Sequence, residues 1–127
     1  MVKVAFSAHA PKPIGPYSQG IMAKGQGYLF ISGQLPINPD TMAIETVDVR
    51  EQAKVVLRNI AAILKSENLG SHHVVKATVF LKSMNDFALV NEEYERFFVE
   101  HKPARTCIEV SRLPKDALVE IDAIAMY

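Results

Sequence analysis

Val74-Val75-Lys76-Ala77-Thr78-Val79-Phe80-Leu81 is the stretch on which the fold turns. Its β-branched and aromatic content, bounded by polar residues, reads as a strand. Alternation sets Val75, Ala77, Val79 and Leu81 on one side and Val74, Thr78 and Phe80 on the other, so both faces need cover. On its amino-terminal side, Val49, Ala53, Val56, Leu57, Ile60, Ile63 and Leu64 recur at helical spacing across residues 48–69. Asp48 caps that expected helix, Glu51 answers it in a capping box, and Gly70 is the expected stop. On its carboxyl-terminal side the pattern predicts a second helix from about Asn85 to Val99, with Phe87, Val90, Tyr94, Phe97 and Phe98 turned inward.

Further out lie five more expected strands: Val2 to Phe6, Gly20 to Lys24, Tyr28 to Ile31, Arg105 to Val110, and Leu118 to Met126. Pro11, Pro13, Gly15 and Pro16 forbid regular structure between the first two. The order of elements is that of an α+β fold, a six-stranded mixed sheet with two helices on one face. Two helices shield one face only, so the other predicts self-association.

The chain of 127 residues has no repeat and no linker-like break, which predicts one domain over 1–127. Fourteen Lys and Arg balance fourteen Asp and Glu, so no long-range field draws it to nucleic acid or anionic lipid. The single cysteine, Cys107, excludes an intrachain disulfide and suits a reducing compartment. The first residues lack the apolar run of a secretory signal, and no segment approaches the ~20 apolar residues that span a bilayer. The expected address is cytoplasmic. His9, His72, His73 and His101 show no metal-ligand spacing, and there is neither a phosphate-cradling glycine loop nor a GxSxG elbow. No metal site is therefore expected.

The last two strands hold an unusual polar set. Arg105, Cys107 and Glu109 share one face of their strand, and Glu120 and Asp122 share one face of theirs. If these strands form an antiparallel hairpin, one register opposes Glu109 to Glu120, like charges face to face. The preferred register sets Cys107 against Glu120 and Arg105 against Asp122. Arg105 is then either half of a surface ion pair with Asp122 or a fork that grips a carboxylate. Glu120 is either a solvated charge or a base that orients water. Cys107 is either a nucleophile, for which no histidine is placed to help, or a packed thiol. Asn91 falls inside the apolar stripe of the second helix, where a buried amide ties backbone or meets a ligand. Tyr17 follows Gly15-Pro16 in a rigid turn and either packs or reaches over a cleft, and Ser32 offers a hydroxyl near a strand end.

Read in order, these residues resemble the Rid (YjgF-like) family. The resemblance rests on Pro13-Ile14-Gly15-Pro16-Tyr17-Ser18-Gln19, on Ile31-Ser32-Gly33-Gln34-Leu35-Pro36, and on Val79-Phe80-Leu81 through Asn85-Asp86-Phe87. It continues in Asn91 with Tyr94 and Phe97-Phe98, Pro103-Ala104-Arg105, and Leu113-Pro114-Lys115 followed by Val119-Glu120-Ile121. It implies a chorismate-mutase-like fold and a homotrimer whose sheets form a central barrel, with clefts between subunits. It implies hydrolysis of 2-imino acids, such as 2-iminobutanoate and 2-iminopropanoate, to 2-keto acids and ammonia. In that scheme Arg105 grips the substrate carboxylate, and Tyr17, Ser32 and Asn91 line the site. Cys107 contributes its backbone, and Glu120 orients the attacking water. A protonated imine is already electrophilic, so holding the acid and one water suffices, and the resemblance implies no metal or organic cofactor.

Three departures surround this pattern. Met42 stands where the family often has glycine, Ser71-His72-His73 replaces a commoner acidic stretch, and Lys102 replaces an aromatic before Pro103. Two other functions stay open: an endoribonuclease that inhibits translation, and a non-catalytic ligand-binding or chaperone-like trimer, which needs Arg105 but not Glu120.

Overall fold

Residues 2–127 are described by a computed structural model. Asp48 opens helix α1 (Val49–Ser66) by accepting the Glu51 N–H at 3.0 Å. The reciprocal half of the expected box is absent: the Asp48 N–H goes to Thr46 Oγ1 and the Glu51 carboxylate pairs with Lys54. The helix ends at Ser66, before Gly70; Asn68, whose N–H still donates to Lys65 O, has a φ of 60° that lets the Leu69 N–H reach back to Leu64 O. Asparagine tolerates that left-handed turn better than most side chains, which is why it, and not the later glycine, stops the helix.

Six strands are present, but in two sheets and not one. β1 (Val2–Ala5) and β2 (Gly20–Ala23) form an antiparallel ribbon. β1 is exposed along its whole length, so no apolar face draws the ribbon into the main layer. The main sheet has the order β3-β6-β4-β5, with β3 Tyr28–Gln34, β4 Val74–Leu81, β5 Ala104–Glu109 and β6 Val119–Met126. β6 is antiparallel to both its neighbours, and β5 runs parallel to β4 after helix α2 (Phe87–Phe97). The sheet is therefore mixed, with two helices packed on one side, as expected.

The expected β5–β6 hairpin does not form: β4 lies between the two strands. A strand apolar on both faces is best placed at the centre, with its backbone paired on both sides, while the more polar β5 takes the edge. Ile31, Ala77, Val79, Leu81, Val119, Ile121, Ala123 and Ala125 pack against the α1 stripe and against Val90, Tyr94 and Phe98. Val74 joins that face, contrary to simple alternation, because a bulge between Val74 and Lys76 shifts the register by one residue. The opposite face is bare, and Phe30 on it is 70% exposed.

Candidate functional site

The parallel register sets Arg105 beside Ala77 and Cys107 beside Val79, on the helix side of the sheet. Since β5 is the edge strand, the long Arg105 side chain can reach past the core to α2. There Phe87, Asn91 and Tyr94 lie on one helix face at spacings of four and three. Asn91 Oδ1 accepts from Arg105 Nη1 at 2.6 Å. The guanidinium carbon lies 5.5 Å from the Phe87 ring centre, 5.1 Å from that of Tyr94 and 5.4 Å from that of Tyr17.

Tyr17 arrives from a loop with almost no slack. Its N–H donates to Gly15 O, and its hydroxyl oxygen accepts from the Ile14 N–H. Ser18 pins the loop to the start of β5 through Lys102 O and Pro103 O, and Gln19 staples it to Ser7 and Pro11. A Cβ on Gly15 would stand 3.2 Å from Arg105 Nη2, so the close approach of this backbone suits glycine.

Arg105 and Asp122 form no ion pair. Asp122 faces the bare side of the sheet and accepts the Thr78 N–H at 3.0 Å. Among the described residues no carboxylate pairs with Arg105. A guanidinium walled by three rings and one amide thus keeps an unanswered charge. Cys107 lies close by, half-buried, and burial pushes its thiol up more than the neighbouring Arg105 pulls it down. The thiol stays protonated at neutral pH, which disfavours the nucleophile reading.

Glu120 is not beside Cys107. It belongs to the bare face of β6, opposite Val119 and Ile121. Burial, and secondarily the charge of Asp122, raise its carboxyl above the ordinary glutamate range. Its carboxylate lies over Gly33, where a Cβ would overlap Oε2. Gly33 and the exposed Ser32 occupy a register irregularity of β3 between Ile31 and Gln34. Ser32, on β3, is three strand spacings from β5, about 14 Å, and Glu120, on β6, lies on the other face of the sheet from Arg105, so neither joins the cluster of Arg105, Tyr17 and Asn91.

The sequence pattern made Phe87 and Tyr94 core residues and gave neither them nor Gly33 a part in a functional site. The spacing of Phe87, Asn91 and Tyr94 was the available signal for the first two. Of the departures, Met42 adopts a φ of 57°, which explains why glycine suits that turn. The Lys102 ammonium is engaged by Phe98 O at the end of α2. His73 Nδ1 accepts the Gly70 N–H, and its ring packs against His72 at 4.1 Å. Among the described residues no helix is long and apolar enough to cross a membrane.

The family model described as Endoribonuclease L-PSP matches residues 7–127. A RutC family protein of Pyrococcus horikoshii is 54% identical over 125 residues, covering 98% of each chain. The 2-iminobutanoate/2-iminopropanoate deaminase of Escherichia coli K12 is 46% identical over 129 residues, covering 99% of this chain and 98% of that one. The crystal structure of E. coli TdcF with bound serine matches with a TM-score of 0.75 at 43% identity, covering 98% of each chain. With an α+β architecture shared with these structures and a family match over nearly its whole length, the chain belongs to the Rid (YjgF-like) family.

Proposed function

We propose that the protein hydrolyses 2-imino acids, 2-iminobutanoate and 2-iminopropanoate among them, in clefts built between copies of a homotrimer. The unanswered guanidinium of Arg105, ready-made for a planar carboxylate, is the observation that carries this reading. The deaminase activity in the name of the E. coli relative points the same way.

Arg105 takes the carboxylate through the N–H groups that Asn91 leaves free. Glu120 of the partner subunit accepts a proton from water as its oxygen attacks the iminium carbon. Glu120 returns that proton to the amine of the tetrahedral intermediate; the C–N bond breaks, the new hydroxyl gives up its own proton to the departing ammonia as its oxygen becomes the keto oxygen, and the products are the 2-keto acid and ammonium. Two copies are needed because one chain carries Arg105 and Glu120 on opposite sides of its sheet. The exposed Tyr28, Phe30 and Ile108 of the bare face supply apolar surface for the contact. Joining unlike surfaces in this way closes into a ring when the rotation from copy to copy divides a full turn, and three copies match the family resemblance.

An amino-acid oxidase generating the imine in situ provides the test, with disappearance of imine followed at side chains of increasing size. Accelerated loss of imine is expected. Loss at the same rate with and without the protein overturns the reading. The raised carboxyl of Glu120 gives the acid limb its place. Water activation needs the ionised form, so activity should fall with decreasing pH at a value above that of an ordinary glutamate. Glu120→Gln should remove that limb.

Gly33→Ala is a second check. The overlap falls on the mobile end of Glu120, so the melting temperature should barely move while the carboxylate is displaced. A misplacement of that size is expected to lower kcat on the order of 10²-fold, with KM little changed. An unaltered kcat would remove Glu120 from the mechanism. The endoribonuclease description of the family favours a second activity. RNA cleavage that persists through purification and is lost with Arg105→Ala would replace imine hydrolysis as the assigned function.

A further inference from the structure

An arginine side chain is flexible, and a hydrogen bond to Asn91 fixes a point but not a plane. The plane matters, because a bidentate contact needs the carboxylate and the guanidinium to lie edge to edge. Ring faces define that plane when the cation lies over them. Of the three rings around Arg105, Tyr94 is the nearest at 5.1 Å and is fully buried. It cannot move aside: Phe98 packs on it at 4.6 Å, and Phe97 meets Phe98 edge-on at 4.8 Å. Phe87 and Tyr17 are both part-exposed, and Tyr17 belongs to a loop. Tyr94 is therefore the rigid wall of the box.

Its hydroxyl is a separate matter. Among the described residues it is the one buried side-chain polar atom without a hydrogen-bond partner. A buried, unpaired hydroxyl disfavours folding. The two parts of the side chain thus make opposite contributions and can be tested apart.

We propose that Tyr94 is a positioning residue whose ring face holds the Arg105 guanidinium in the plane required for edge-on binding of a small carboxylate, its hydroxyl being dispensable. This rests on the assignment of Arg105 as the carboxylate anchor. The test uses 2-oxobutanoate as probe, with affinity read by calorimetry and the Arg105 side-chain N–H signals read by nuclear magnetic resonance. Tyr94→Leu removes the ring and should raise the dissociation constant by about tenfold, with loss of the ring-induced upfield shift of the Arg105 signals. Tyr94→Met carries the same test if the leucine variant fails to fold. Tyr94→Phe should bind within about twofold of the parent and melt at a higher temperature, since the unpaired hydroxyl is gone.

Unchanged affinity and unmoved Arg105 signals in the leucine or methionine variant overturn the proposal. So does a tenfold loss in the phenylalanine variant, which would move the role to the hydroxyl. None of these readouts requires turnover. If the parent binds 2-oxobutanoate but does not hydrolyse imines, the proposed activity fails and the role of Tyr94 stands. If the parent binds no carboxylate at all, both fall.

Discussion

Arg105→Ala is expected to lower kcat/KM for imine hydrolysis on the order of 10³-fold, and to do so without unfolding the protein. The loss is large because a charged, bidentate contact in a part-buried site is replaced by nothing that binds an anion. The fold survives because, among the described residues, Arg105 pairs with no carboxylate, and its hydrogen bond is to Asn91, whose amide can turn to solvent or to water in the vacated space. Removing an unpaired positive charge from among three rings also relieves part of its desolvation. Arg105→Lys should recover only a fraction of the activity, since an ammonium restores charge but not the planar fork. Steady-state kinetics, a thermal melt and a sizing column on the same samples check all three statements. A variant that is folded and fully active would remove the anchor from the mechanism.

Equal mixing of Arg105→Ala with Glu120→Gln chains is expected to restore activity that neither has alone. Each proposed cleft takes Arg105 from one copy and Glu120 from the next. Random reassembly then gives about one-quarter of the clefts an intact pair. The recovered rate should approach that fraction of the parent's, from two preparations that are each nearly inactive. Co-expression with two affinity tags, or unfolding and refolding the mixture, provides the hybrid rings. If both residues served a cleft within one copy, mixing would restore nothing, so this experiment decides between a shared site and a private one.

The local elements were legible because their signals are local. Val74 to Leu81 is a strand with the bounds its composition suggests, and the apolar spacing of α1 places its buried side chains correctly. Partner choice was not legible by the same means. Chain proximity favoured a hairpin of the last two strands, but the two-faced apolar character of β4 outweighs it and draws β4 between them. The face of Arg105 was misjudged for a related reason. On an edge strand the polar row need not face solvent, since a long side chain can run inward and end beside a neighbouring helix, as Arg105 does beside Asn91. The convergence of Tyr17, Asn91 and Arg105 followed from the family resemblance. Their shared geometry depends on the loop pinned by Ser18 and Gln19, which no spacing rule reveals.

The single layer of backbone between Arg105 and Glu120 has a consequence for how such an enzyme would behave in dilute solution. A lone molecule owns every chemical group yet cannot let the anchored acid and the activated water meet, since the barrier between them is its own sheet. Specific activity should then fade on serial dilution well before the chains unfold, and output would track abundance more steeply than in proportion.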